Sequence, residues 1–88
     1  MNIHDSTLDA VKAIIVKTLG IEDRAGSLNA STTLLGGIPE FDSLAVVEVA
    51  TSLEEKFGFE IDGSEFSSEI FETVGTLAAF VKKKTGVQ

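Results

Sequence analysis

Apolar residues recur three or four positions apart in several stretches of the chain, a spacing that places their side chains on one face of an α-helix. This pattern predicts long helices over about 7–19, 43–57 and 74–84. After a turn, Phe66, Ile70 and Phe71 predict a shorter helix over about 64–71. Only a few residues alternate as in a β-strand, too few to form a sheet. We therefore expect an all-α fold, a helical bundle.

Residues 21–41 interrupt the helical spacing, because glycines and a proline are spread among large apolar residues. A connection of this length is long for a compact domain, and such segments are usually functional or disordered. Its large apolar residues argue against disorder: Leu28, Leu34, Leu35, Ile38 and Phe41. We expect this long first loop to wrap across the bundle and insert those side chains. A short turn of helix within it is compatible with its sequence.

The helix over 43–57 has two unlike faces at roughly 100° per residue. The stripe that should face the core contains Val46, Val49, Ala50, Leu53 and Phe57. The opposite side contains Leu44, Val47, Glu48, Thr51 and Glu55. A helix on the surface of a domain ordinarily carries polar residues there. This half-apolar, half-acidic face is therefore better placed for docking to another protein than for folding.

Ser43 stands where the long loop ends and this helix begins. Asp42 has the short acceptor side chain favoured at an N-cap, and its charge complements the positive end of the helix dipole. Gly36, Gly37 and Pro39 favour a loop ahead of it. The hydroxyl of Ser43 should therefore point outward from the first helical position, within reach of another protein.

The chain has 88 residues and a net charge of −7. It fits one small domain and lacks the basic patch that nucleic acid and anionic membrane surfaces require. Residues 40–72 contain ten acids and one base, a net charge of −9, so the remainder is slightly positive. This acidic field would speed encounters with basic patches on partner proteins. No segment approaches the roughly 18 apolar residues of a membrane span. The chain also does not open with a basic region followed by an apolar run, so we expect no membrane insertion and a cytoplasmic protein.

The side chains give little support to self-contained catalysis. A serine nucleophile needs a base within hydrogen-bond reach. The one histidine, His4, is expected in a solvated tail, and cysteine is absent. Lys56 lies more than about three helical turns from Ser43. The acidic turn at Asp62 fails the calcium-loop pattern, because its glycine is second rather than sixth. We expect neither an enzyme nor a metal site.

Three motifs occur together along the chain. The triplet Asp42-Ser43-Leu44 precedes a helix that ends in the run Leu53-Glu54-Glu55-Lys56-Phe57-Gly58. Further on comes the run Phe71-Glu72-Thr73-Val74-Gly75-Thr76-Leu77. With the acidic balance, these motifs resemble those of acyl carrier proteins over nearly the whole chain. The resemblance implies a four-helix bundle with a short third helix, in a single carrier domain over residues 1–88 that is not itself an enzyme.

The resemblance also implies how the protein works. Ser43 would be the residue to which a phosphopantetheinyl transferase attaches 4′-phosphopantetheine from coenzyme A, with Mg²⁺, and Asp42 would be its neighbour in the motif. The thiol of this arm would hold acyl groups as thioesters. A monomeric carrier would present them to acyl-loading, acyl-transfer or synthase enzymes of fatty-acid, lipid or polyketide-type biosynthesis.

Two surfaces acquire roles from the resemblance. Partner enzymes with basic docking patches would bind the face formed by Leu44, Val47, Glu48, Thr51 and Glu55. The acyl chain would be sheltered between helices by Val46, Ala50, Leu53, Ile61, Phe66 and Ile70.

The sequence departs from the common fatty-acid carrier pattern at two places. Ala45 stands where another acid often follows the triplet, and Thr51 where a large apolar residue is common. Together with the glycine-rich approach to Ser43, these departures suggest a specialised carrier for a dedicated pathway. Two alternatives stay open. One is an aminoacyl or peptidyl carrier, which shares the fold and the arm but differs in cargo, and the other is an unmodified acidic helical module that binds a basic partner.

Overall fold

The computed structural model describes residues 6–86, which contain three α-helices and two 3-10 helices. In chain order these are α1 (Ser6–Leu19), a first 3-10 helix (Glu22–Ser27), α2 (Ser43–Phe57), a second 3-10 helix (Gly63–Glu65) and α3 (Val74–Thr85). Over the same residues there is no β-strand, and an isolated bridge joins Thr33 to Thr73. The predicted all-α fold is confirmed. His4 lies outside the described residues.

Short polar side chains cap the starts of α2 and α3, and a glycine ends α2, as the sequence predicts. The backbone N–H of Ala45 donates to Asp42 Oδ1 over 2.9 Å, so Asp42 caps α2. Thr73 caps α3 in the same way and accepts the N–H of Thr76 over 3.0 Å. α2 ends at Gly58, whose φ of 73° lies in the left-handed region that glycine adopts at little steric cost. The predicted bounds of the three α-helices hold to within one residue.

The α-helix predicted over 64–71 does not form. The short third helical segment is the 3-10 helix Gly63–Glu65, which is followed by turns. Asp62 and Glu65 form a reciprocal capping box, in which the Asp62 N–H donates to the Glu65 carboxylate over 2.9 Å. The three serines of this stretch are poor helix formers, because hydroxyl groups compete for backbone partners. The segment is therefore one tight turn, and residues 66–69 after it are exposed.

The long first loop packs as predicted and contains the first 3-10 helix. Leu35 is half-buried, and the buried members of its apolar set are Leu28, Leu34, Ile38 and Phe41. The loop is hydrogen-bonded to the chain around the start of α3. The Leu34 N–H donates to the Glu72 carbonyl over 2.8 Å, and the Val74 N–H donates to the Thr32 carbonyl over 3.0 Å. The predicted insertion of its apolar side chains is confirmed.

The core lies between the three α-helices and the first loop. α1 packs against both α2 and α3, which contact each other least. Of the predicted core stripe of α2, Val49, Ala50 and Leu53 are buried, and Val46 and Phe57 are half-buried. Ala45 is also buried, which the spacing did not predict. Its burial gives a packing reason for a small apolar residue, rather than an acid, directly after the triplet. No helix within residues 6–86 combines the length and the apolar character that crossing a membrane requires.

Candidate functional site

Ser43 is the first residue of α2 and is exposed. The residue before it is engaged with the first helical turn through both its carboxylate and its backbone. Besides accepting the N–H of Ala45, Asp42 accepts the N–H of Val46 at its backbone carbonyl over 3.0 Å. These bonds determine the direction in which the helix leaves the loop. The structure thus presents Ser43 to solvent directly after the capping aspartate.

The loop segment that leads to Ser43 is held from two sides. Ile38 and Phe41 are buried, and the Phe41 N–H donates to the Ile38 carbonyl over 2.9 Å. On the surface, the Arg24 guanidinium forms an ion pair with the Glu40 carboxylate. The hydrogen bond from Arg24 is the main reason that the pKa of Glu40 lies below its usual value. No sequence pattern predicted this pair, because its partners stand 16 residues apart outside the long helices.

A cleft of about 340 Å³ opens beside Ser43. Its lining comes from the first loop, the start of α2 and the segment after the second 3-10 helix. The lining residues are Leu35, Ser43, Val46, Phe66, Ser67, Ser68 and Phe71. Phe71 is only 1% exposed and its ring stacks on that of Phe66, with ring centroids 6.0 Å apart. A hydrogen bond of 3.4 Å from the Leu35 N–H to the Phe71 carbonyl ties two of the cleft walls together.

The residues predicted to shelter an acyl chain divide into two groups. Val46 and Phe66 line the cleft beside Ser43. Ala50, Leu53 and Ile61 are instead buried in the core, and Ile70 packs against it. The sequence does not predict the other lining residues, because apolar spacing in an irregular segment does not tell which way a side chain points. These residues are Leu35, Ser67, Ser68 and Phe71.

The outward side of α2 is exposed as expected. Leu44 and Val47 have relative exposures of 66% and 54%. The polar residues of the same face are also exposed: Glu48, Thr51 and Glu55. Among the residues that the structure describes, the exposed large hydrophobic ones are Leu44, Val47 and Phe66. All three lie within four residues of Ser43 or line its cleft, so the exposed apolar surface is concentrated around this serine.

The site suits an anionic group attached to Ser43. Among residues 6–86, no Lys, Arg or His side chain lines the cleft. A phosphate esterified to Ser43 would lie at the N-terminus of a 15-residue helix, where backbone N–H groups and the helix dipole favour an anion.

Comparisons with known proteins agree with this geometry. Residues 9–81 match the family described as "Phosphopantetheine attachment site". The chain is 38% identical over 78 residues to an acyl carrier protein of Chlamydia caviae, covering 89% of this chain and 95% of that protein. It is 36% identical over 76 residues to one of Chlamydia trachomatis, covering 86% and 92%.

A solved structure is also similar over most of its length. The solution NMR structure of a holo acyl carrier protein from Nitrosomonas europaea matches with a TM-score of 0.82 and 48% identity, covering 90% of this chain and 95% of that one. The predicted fold class is therefore confirmed. The chain belongs to the acyl carrier protein family: it is a carrier rather than an enzyme, and 4′-phosphopantetheine is its prosthetic group.

Proposed function

We propose that Ser43 is the residue to which 4′-phosphopantetheine is attached. The observation that carries this proposal is an exposed serine at the first position of α2, directly after its capping aspartate and beside the cleft. The two other serines of the cleft, Ser67 and Ser68, lie in an irregular segment. Of the three serines that line the cleft, Ser43 alone would place a phosphodiester at the N-terminus of a long helix, which stabilises an anion.

In the attachment reaction, Ser43 Oγ attacks the phosphorus atom of coenzyme A that bears the pantetheine. The Oγ–P bond forms and the P–O bond within the pyrophosphate breaks. The leaving group is 3′,5′-ADP, and the hydroxyl proton passes to a base of the phosphopantetheinyl transferase. The chain itself positions Ser43, because Asp42 holds the first helical turn and the Arg24–Glu40 ion pair holds the loop ahead of it. The attached arm supplies a thiol that carries acyl groups as thioesters.

We also propose that the outward side of α2 is the docking face for the transferase and for acyl-loading and synthase enzymes. Its residues are Leu44, Val47, Glu48, Thr51 and Glu55. Two exposed apolar side chains beside carboxylates suit a partner whose apolar pocket is rimmed by Arg or Lys. Lys17 and Lys56 border the same groove as the two glutamates, so a basic patch should approach from the Leu44 side. We propose that the carrier works as a cytoplasmic monomer, which keeps this face free.

Intact-protein mass tests the attachment site. The protein is incubated with coenzyme A, Mg²⁺ and a broad-specificity phosphopantetheinyl transferase. Wild type and the matched control Ser68→Ala should each gain one phosphopantetheinyl group, whereas Ser43→Ala should gain none. A mass gain on Ser43→Ala, or no gain on folded wild type with a transferase that modifies another carrier, would show that the proposed site is wrong.

A pair of leucine variants tests the docking face. Leu44→Ala should raise the KM of the transferase about tenfold, equivalent to about 1.4 kcal/mol, and leave the melting temperature nearly unchanged, because Leu44 is mostly exposed. Leu53→Ala, at a fully buried position of the same helix, should lower the free energy of unfolding by about 2–5 kcal/mol. If the two variants lose the same stability, or if Leu44→Ala leaves the KM unaltered, the assignment of the two faces fails.

A further inference from the structure

We infer that the groove between α1 and α2 extends the docking face and binds an acidic side chain of the phosphopantetheinyl transferase between Lys17 and Lys56. This inference rests on the proposed docking face and specifies the partner surface that fits it. The groove shares Glu48 and Glu55 with that face and continues it toward α1. The transferase should therefore carry an acid beside the basic residues that meet the two glutamates.

The groove is lined by half-buried residues and by charges of both signs. Ile14 and Thr18 of α1 and Ser52 of α2 are half-buried. The four charged lining residues are exposed: Lys17 of α1 and Glu48, Glu55 and Lys56 of α2. Two charges of each sign thus line one groove that is open to a partner.

These four charged side chains are not neutralised by the rest of residues 6–86. Over that range, none of them forms an ion pair or a side-chain hydrogen bond. Residues three or four apart are neighbours on a helix surface, yet within α1 and α2 no residue of opposite charge stands at those spacings from any of the four. By contrast, Lys84 donates to both carboxylate oxygens of Glu65, over 2.9 and 3.0 Å. The charges of the groove are therefore available to another protein.

The charge changes sign across the groove. At roughly 100° per residue, Glu48 and Glu55 lie within about 20° of each other around α2, whereas Lys56 lies about 80–100° further round, toward α1. Lys17 lines the groove from α1 itself. The acids therefore lie on the side of Leu44 and the outward face, and the two lysines lie on the side of α1.

A transferase surface that spans the groove has to match this change of sign. Its Arg or Lys residues can meet the two glutamates, but a basic patch that extended toward α1 would place like charges against Lys17 and Lys56, which weakens binding. A carboxylate at that position would instead accept hydrogen bonds from both lysines, one from each wall. The groove thus favours a partner whose basic patch is narrow and bordered by an acid.

Transferase kinetics with lysine variants tests the groove. Lys17→Gln/Lys56→Gln should raise the KM for the carrier about tenfold at low ionic strength and leave kcat unchanged, because the lysines bind a surface away from the reacting atoms. Added salt should shrink the difference. The matched control Lys12→Gln/Lys83→Gln makes the same change in net charge outside the groove, and its KM should stay within about twofold of wild type.

Charge exchange identifies the acid of the transferase. Each surface Asp and Glu of the transferase is replaced by Lys, one at a time, and assayed on wild-type carrier and on Lys17→Glu/Lys56→Glu. One replacement should raise the KM severalfold on wild type and restore it on the carrier with reversed charges.

Normal loading of wild type with no increase in KM for Lys17→Gln/Lys56→Gln, or no replacement that shows the exchange, overturns this inference alone. A dimer in sedimentation that Lys17→Gln/Lys56→Gln dissociates, with transferase kinetics unchanged, would assign the groove to a second copy of the chain and would also overturn it. Failure to load folded wild type overturns the proposed function and this inference with it.

Discussion

The two irregular connections on either side of α2 are built differently. The first, over residues 20–42, buries five large apolar side chains and is hydrogen-bonded to the chain around the start of α3. The second, over residues 58–73, buries Ile61 and Phe71 near its ends and leaves residues 66–69 exposed between them. The first connection is thus part of the core. In the second connection, the parts near its two ends reach the core and the middle is exposed.

This difference matches what each connection contributes to the cleft. The first connection provides Leu35 and the segment that leads to Ser43, and the second provides Phe66, Ser67, Ser68 and Phe71. A region with few buried contacts opens at low free-energy cost. We therefore expect substitutions in the first connection to change global stability, and substitutions in the second to change mainly the cleft.

Adjacent leucines of the first connection give the largest expected effect. Leu34 is fully buried, so Leu34→Ala should lower the free energy of unfolding by about 2–5 kcal/mol. Leu35 is half-buried and lines the cleft. Leu35→Ala should lower the free energy of unfolding by about 1 kcal/mol or less, because the Leu35 side chain buries less apolar area on folding than that of Leu34. Urea unfolding of both variants measures the difference. Equal losses would mean that the first connection does not separate core from cleft in this way.

A glycine at the contact between the first connection and α3 gives an intermediate effect. The Gly75 N–H donates to the Ala30 carbonyl over 2.8 Å, and a Cβ atom at residue 75 would lie 2.8 Å from that same oxygen. Gly75→Ala should therefore push the connection away from α3 and lower the free energy of unfolding by about 1–2 kcal/mol, despite the better helix propensity of alanine.

Gly26→Ala is the control for this substitution, because a Cβ atom at residue 26 would meet no other atom within 4 Å. Its free energy of unfolding should stay within about 0.5 kcal/mol of wild type. A Gly75→Ala protein as stable as Gly26→Ala would indicate that the first connection is held less firmly to α3 than its hydrogen bonds suggest.

The parts of the fold that the sequence predicts are those governed by local rules. Helical spacing and short capping side chains located α2 and α3, including Asp42 and Thr73 at their starts. The same rules failed over 64–71, where the carboxylate of Glu65 accepts hydrogen bonds from Asp62 and from distant Lys84, and a tight turn replaces a helix. A bond to a residue 19 positions away leaves no periodic trace in a sequence.

The candidate site also has a part that local sequence rules predict and a part that depends on contacts between distant segments. Ser43 and the outward face of α2 follow from one helix and its cap, and the sequence predicts their exposure. The cleft is assembled from three segments. Of the residues predicted to line it, Val46 and Phe66 do so. Leu35 and Phe71 meet through pairing of the two connections, which no spacing within either segment indicates.

The smallest expected effect comes from acid titration of the ion pair that anchors the second connection. The hydrogen bonds from Lys84, and next the N–H of Asp62, hold the pKa of Glu65 below its usual value. A carboxyl whose pKa is lowered on folding stabilises the folded state above its unfolded pKa of about 4.3, and this stabilisation is lost as the pH falls through the lower, folded value. Glu65→Gln should therefore lower the melting temperature slightly at pH 7. The difference from wild type should shrink as the pH falls below about 4.3 and vanish once the pH lies below the lowered, folded pKa.

Local hydrogen exchange distinguishes the two connections more sharply than melting does. The Phe66 N–H donates to the Gly63 carbonyl over 3.3 Å, next to Glu65. Apart from the stacking of the Phe66 ring on Phe71, few contacts hold this exposed segment. Glu65→Gln should therefore reduce the protection of the Phe66 amide severalfold at pH 7. Glu40→Gln removes the corresponding carboxylate, the partner of Arg24, from the first connection. The nearby Phe41 amide should keep its protection there, because the Phe41 ring stays buried in the core. Equal loss of protection at Phe41 would mean that surface ion pairs, rather than buried side chains, hold both connections.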